Sequence, residues 1–165
     1  MSCGSNINIP EKTIPISEKE RWNNAITIMQ KLLETSSGLG LTDVQAAGIL
    51  GNIYVESRWN PTNINHNDKG SKSIGLCQWH LDRIPKLLDF AKDCGKSWQD
   101  LNTQIGYLIK ELKTDEKNAL YALKKTTNVE SAANTFCKTF ERPQVCQGRV
   151  APAKQVLQKW RERNK

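Results

Sequence analysis

One helix constrains this chain more than any other stretch. Residues 46–61 read AAGILGNIYVESRWNP. On a helix over 43–58, Ala46, Ile49, Ile53 and Glu56 share one stripe, at i, i+3, i+7 and i+10. A second stripe is small: Ala47, Gly48 and Gly51. A glycine inside a helix costs about 1 kcal/mol relative to alanine, so two of them point to close packing of another element. Thr42 with Gln45 makes a capping box at the start, and Pro61 is expected to end the helix. Glu56 continues the apolar stripe and falls where the helix gives way to a polar segment, at the mouth of a cleft. Partial desolvation favours the neutral form of a carboxyl. A carboxyl that is neutral near neutral pH can donate a proton to a leaving oxygen. The competing reading is a helix-end glutamate that reaches water.

The rest of the chain reads as more helices around one polar interruption. Residues 1–16 are polar, with Pro10 and Pro15, and are expected to be a flexible leader; the domain proper spans 17–163. SEKERWNNAITIMQKLLET opens with a second capping box, Ser17 with Glu20, and lines up Trp22, Ile26, Met29 and Leu33. Residues 62–80 are polar, carry an NDKG turn signal and then SIGLCQW, which predicts a loop with a small β-hairpin. A helix with Pro85 in its first turn runs to about Cys94, with Gly95 as its stop. Leu101, Ile105, Leu108 and Leu112 make the next stripe. DEKNALYALKK is a short helix, and Val129, Ala132, Ala133, Phe136 and Phe140 align on another. A last helix over about 149–162 presents Val150, Ala153, Leu157 and Trp160. The fold class is therefore mainly α, or α+β, with one β-hairpin insertion.

With 165 residues, 38% of them hydrophobic, the chain is long enough for a single core. It has no apolar run near the ~20 residues of a membrane span and no Sec-type signal peptide at its start. Five cysteines without a CxxC pair exclude a fully paired scaffold and argue against a zinc site. They are read as thiols in a reducing compartment, with one bridge, Cys137 to Cys146, left open. A net charge of +7 implies an anionic partner, from nucleic acid to a cell-wall polymer. The basic residues are scattered and no recognition motif accompanies them, so nucleic acid is not expected. His66 and His80 match no metal-ligand spacing and are read as loop histidines; neither a metal nor a cofactor is expected.

Four motifs in order carry a resemblance. GNIYVESRWNP supplies Gly51, Asn52, Glu56, Ser57 and Pro61. SIGLCQW supplies Gly75, Gln78 and Trp79. QIGYLIKEL follows at 104–112 and FERP at 140–143. Over residues 42–160 the chain resembles the phage tail lysozyme family, within the lysozyme-like superfamily of peptidoglycan-cleaving enzymes. The resemblance implies a two-lobed helical domain with a sugar-binding cleft beside a small β-lobe. It makes Glu56 the general acid that protonates the oxygen between N-acetylmuramic acid and N-acetylglucosamine, with peptidoglycan strands as the partner of a monomer. Gln78 fits a sugar contact through its amide, and Trp79 fits one through its ring or else packs in the core. Ser73 fits a water or acetamido contact or caps a turn, and Ser57 supports the fold.

Cleavage by water usually needs a second carboxylate. Asp68, in the polar insertion, is the first candidate, against a strong reading as a turn residue. Asp82 comes next, though capping the following helix suits it better. Glu141 could face the cleft from the far side, or be held by Arg142 or Arg149. Without a second acid, the sugar's own C6 hydroxyl would attack and leave a 1,6-anhydro end, as lytic transglycosylases do; a glycan-binding module without chemistry is the remaining alternative. The expected setting is a phage lytic enzyme, held in the host cytoplasm until release, or a virion-associated one.

Overall fold

The computed structural model describes residues 9, 10, 12–66 and 70–165. Helices α1 (Glu18–Leu33) and α2 (Asp43–Ser57) precede three short strands, β1 (Ile64–His66), β2 (Lys72–Ile74) and β3 (Trp79–His80). Then follow α3 (Arg83–Asp93), α4 (Leu101–Lys113), α5 (Lys117–Lys124) and α6 (Val129–Phe136), a π-helical turn (Cys137–Glu141) and α7 (Val150–Arg163). The sheet is antiparallel in the order β1-β2-β3, with Ile64 opposite Ile74 and Ile74 opposite Trp79. The expected hairpin therefore gains a third strand, whose two residues are too few to show any alternation.

α2 is the axis of the domain, with α1, α6 and α7 packed on it. Ile49, Leu50 and Ile53 are fully buried. The glycine stripe faces what its composition implied. A Cβ on Gly48 would lie 2.6 Å from the Ala132 Cβ of α6, and one on Gly51 would lie 2.1 Å from the Arg149 carbonyl oxygen and 2.7 Å from the Ala153 Cβ of α7. Gly51→Ala is expected to lower stability by about 2 kcal/mol through overpacking. The check is a lower denaturant midpoint at unchanged slope; an unchanged midpoint would mean that α7 is not seated on this face.

The capping box at α2 closes in both directions: Thr42 Oγ1 accepts from the Gln45 amide at 3.3 Å and Gln45 Oε1 accepts from the Thr42 amide at 3.1 Å. Gln45 Nε2 also donates to the Lys124 and Thr126 carbonyls, tying the end of α5 to the start of α2. On α1, Ser17 Oγ accepts from the Glu20 amide at 3.1 Å. The buried face of α1 is Ala25, Ile28, Met29 and Leu32, rotated from the expected Trp22–Ile26–Met29–Leu33 stripe. The rotation brings Asn24 inward, where its Nδ2 donates to the Trp59 carbonyl at 3.0 Å.

Pro61 does not end α2. The helix stops at Ser57, and Arg58 and Trp59 follow in the left-handed region, with φ 55° and 60°. Two such non-glycine residues in a row are unusual, and tertiary contacts hold them. Trp59 is buried, its Nε1 donates to the Leu50 carbonyl at 2.8 Å, and its ring packs between Trp22 and Tyr54. The Arg58 carbonyl accepts from the Arg21 guanidinium. The chain thus reverses immediately after Glu56.

The leader is docked over its last residues. Ile14 donates its amide to Thr62 Oγ1 at 3.0 Å, Asn60 Nδ2 donates to the Ile14 carbonyl at 2.9 Å, and the Ile64 amide donates to Thr13 Oγ1 at 2.9 Å. The one bridge left open in the sequence is formed, so the cysteines are not all thiols. Cys137 and Cys146 form a disulfide with Cα atoms 6.0 Å apart, because the π-helical turn and a left-handed Arg142 fold the chain back. Cys77 is a buried thiol and Cys94 an exposed one, while Cys3 lies outside the described residues. No described helix is long and apolar enough to cross a membrane.

Candidate active site

Glu56 occupies the last turn of α2, with its side chain 20% exposed. Its Oε2 lies 2.8 Å from Nη1 of Arg149, a guanidinium only 5% exposed at the start of α7. The same Nη1 donates to Asn52 Oδ1 at 2.9 Å. Asn52, one turn before Glu56 and fully buried, donates from Nδ2 to the Gly48 carbonyl at 2.8 Å and the Ala133 carbonyl of α6 at 2.9 Å. The line Asn52–Arg149–Glu56 thus joins α2 to the start of α7, which packs closely on Gly51. Burying a guanidinium is unfavourable unless it is paired and hydrogen-bonded; here one carboxylate and one amide oxygen meet Nη1, while Nε is buried without a hydrogen-bond partner among the described residues. The expected apolar surroundings of Glu56 are therefore corrected: the carboxyl stands at a half-open mouth, and a buried cation faces it from within.

Glu141 ends the π-helical turn. Its Oε1 is buried and has no hydrogen-bond partner among the described residues. Burial pushes its carboxyl well above the usual range, and the charge of Glu56 pushes it further, against the pull of Arg83 and Arg149. Neither expected holder binds it. Arg142 turns away to Glu116, at 2.9 and 3.0 Å, and Arg149 is engaged with Glu56.

The raised Glu141 carboxyl has a consequence for stability with a definite sign. In acid, folded and unfolded chains both hold the proton. As pH rises the unfolded chain releases it first, so the contribution present below the ordinary carboxyl pKa is lost as pH rises toward the folded value. Glu141→Gln keeps the shape without the ionisation. It is expected to match the wild type near pH 4 and to exceed it at pH 7–8 by about 1 kcal/mol or more. Thermal melts across that range check this; a gap that does not change with pH would contradict it.

The remaining motif residues form one network beneath the sheet. Trp79 is fully buried and donates from Nε1 to Glu111 Oε1 at 2.6 Å. Arg83 grips the same carboxylate at 3.0 and 3.1 Å and lies 4.5 Å over the Phe140 ring. Gln104 donates to the Pro61 and Trp98 carbonyls and accepts from the Leu76 amide at 2.8 Å. Gly75 turns there with φ 82°, and a Cβ on it would reach the Trp79 ring at 2.9 Å. Trp79 accordingly offers no face to a sugar: its ring belongs to the core and its N–H to Glu111.

Gln78 has its amide engaged within the sheet region, donating to the Asn63 and Gly75 carbonyls and accepting from Asn65 Nδ2 at 2.8 Å. Ser73 Oγ lies 3.2 Å from His80 Nδ1, which also contacts the Lys72 carbonyl at 2.9 Å. Ser57 Oγ donates to the Ile53 carbonyl, a fold-supporting bond. Asp82 stands at the N-cap of α3, as expected, but makes no side-chain capping bond. Asp68 lies outside the described residues. Among the described residues, no group of three or more histidines, cysteines or acids could hold a metal ion.

A cleft of about 400 Å³ opens beside Glu56, between the docked segment that includes Thr13 and Ile16 on one side and Asn63 and Asn65 on the other. Sequence reasoning brings Glu56 to this mouth but misses Arg149 and Asn52, which fix it. The one available signal was Arg149 immediately before an apolar helix.

Comparison with known proteins gives two likenesses. Residues 23–160 match the family described as phage tail lysozyme. Morphogenesis protein 1 of Bacillus phage B103 is 29% identical over 141 residues, covering 80% of this chain and 37% of that protein. The chain therefore spans little more than a third of that relative's length.

Proposed function

Because the chain belongs to the phage tail lysozyme family, its match spanning residues 23–160, we propose that it cleaves the glycan strands of peptidoglycan at the β-1,4 bond between N-acetylmuramic acid and N-acetylglucosamine. One observation carries the reading: among the described residues that line the cleft, Glu56 is the one carboxyl, and a buried guanidinium pairs with it at 2.8 Å. In the reactive complex Glu56 carries the proton and gives it to the glycosidic oxygen as the bond to the anomeric carbon breaks. The leaving sugar departs with a neutral hydroxyl, and positive charge develops on the ring left behind. Arg149 then stabilises the carboxylate that the transfer creates. Water completes hydrolysis with help from a second carboxylate, for which Asp68 is proposed, and Ser73 is proposed to touch substrate from β2.

A second reading has a specific support. Glu141 is buried, and burial and the charge of Glu56 push its carboxyl well above the usual range, which suits it poorly to activating water. If Asp68 is not positioned either, attack by the C6 hydroxyl of muramic acid closes a 1,6-anhydro ring, with Glu56 serving first as acid and then as base. Both readings suit a monomer acting from the virion or released from the host cytoplasm. The test is digestion of purified sacculi followed by mass spectrometry of the fragments. Reducing muramic-acid ends support the hydrolase and anhydro ends the transglycosylase. An absence of glycan fragments from several wall types would overturn both and leave glycan binding to be measured.

A further inference from the structure

The cleft beside Glu56 has walls that bond cleavage does not use. One is apolar and consists of Pro15, Ile16 and Val55, the last 41% exposed on the outer face of α2. The Thr13–Ile16 segment makes half of that wall, and its hydrogen bonds to residues 60–64 fix it there. Asn63 and Asn65 also line the cleft, their side-chain amides tied to the Glu56 carbonyl and to Gln78. At the rim stands Arg58. Its backbone is locked at φ 55°, and its guanidinium lies 5.4 Å over the Tyr54 ring. Among the described residues it makes no ion pair.

This combination selects a kind of ligand. A polymer of N-acetylglucosamine presents hydroxyl and acetamido groups, with no anion for Arg58 and little for an apolar strip. The muramic acid of a cell wall carries a lactyl ether extended by a short peptide, which adds methyl groups and carboxylates beside the sugar. The exposed Val55 and the half-buried Ile16 accept methyl groups, and an unpaired guanidinium at the edge of a cleft accepts a carboxylate in a bidentate pair. Resting on the peptidoglycan-cleaving reading, we propose that this cleft is a subsite for the lactyl-peptide substituent of muramic acid, with Arg58 binding a stem-peptide carboxylate and Ile16 and Val55 its methyl groups. The docked segment before α1 is then part of the substrate site.

The experiment divides one preparation of sacculi in two and strips stem peptides from one half with an amidase. Wild type is compared with Arg58→Asn, asparagine being a residue that tolerates left-handed backbone. Wild type should cut peptide-bearing strands with a kcat/KM about tenfold above that for stripped strands, the scale of one charge-assisted hydrogen bond. Arg58→Asn should lose that advantage through KM, at similar kcat, so that the two proteins converge on stripped strands. Equal wild-type rates on both halves, or equal losses on both, would overturn the subsite.

A binding arm separates the subsite from the chemistry. Calorimetry measures N-acetylmuramoyl-L-alanyl-D-glutamate and a trimer of N-acetylglucosamine on the Glu56→Gln protein, with and without Arg58→Asn. Loss of muramoyl-peptide binding on Arg58→Asn, alongside a wild type that releases no fragments from sacculi, retains the subsite and rejects the cleavage reading. Cleavage by wild type together with muramoyl-peptide binding indifferent to Arg58 rejects the subsite alone.

Discussion

Glu56→Gln is expected to fold as the wild type does and to lose about a thousandfold or more in kcat on peptidoglycan. General acid catalysis is worth roughly 10²–10⁴ in rate, and no other described group stands at the cleft mouth to replace it. Glutamine has the shape of glutamate, and its amide oxygen can still accept from Arg149 Nη1, which now lies 2.8 Å from the carboxylate. Its amide nitrogen has no proton to give at neutral pH. The loss should appear in kcat, since an isosteric side chain leaves binding of the strand nearly intact. Turbidity assays on sacculi measure the rate, and pull-down with the same sacculi measures binding. Residual activity within tenfold of wild type would take the acid role from Glu56 and move attention to Glu141, whose carboxyl burial pushes well above the usual range.

Arg149→Leu is expected to lower folding stability by about 3 kcal/mol and to remove most of the activity. The guanidinium is 5% exposed and serves Glu56 and Asn52 from one nitrogen. Removing it leaves the Asn52 amide oxygen buried and unpaired, and a carboxylate at the mouth with its cation gone. Glu56 keeps some access to water, so the figure belongs at the lower end of the range for a broken buried pair. A double-mutant cycle isolates the interaction. In a Glu56→Gln background, Arg149→Leu should cost less, by about 1 kcal/mol or more, read from urea unfolding at pH 7. Additive losses would mean that the contact contributes nothing beyond the packing of the arginine stem.

The helices were legible because each buries a stripe with a period near 3.6. The glycines of α2 were legible because a helix that accepts their propensity cost needs a neighbour at that place, and α6 and α7 are those neighbours. Glu56 was legible as the last member of an apolar stripe. Arg149 was not, because its role depends on α7 meeting α2 across 97 residues of sequence from Asn52, and no local pattern encodes that meeting. The end of α2 was placed too late for a similar reason. Proline is a strong local signal, whereas the left-handed pair Arg58–Trp59 is held by Leu50, Asn24 and Arg21, all reached through the fold. Trp79 followed the same logic: a tryptophan after a polar turn suits a sugar platform or a core equally, and Glu111, 32 residues on, decides for the core.

The contacts of α2 also set an order of events during synthesis. Its glycine face is covered by α6 and α7, its buried amide waits for Ala133, and Asp43 at its start pairs with Arg161, 118 residues later. These are among the most non-local contacts a chain of this length can make, and such contacts form late. A ribosome that has delivered the first 148 residues has made every candidate carboxylate and no site to hold them. The setting of Glu56 is therefore complete only once α7 has been delivered and Arg149 has reached its carboxylate.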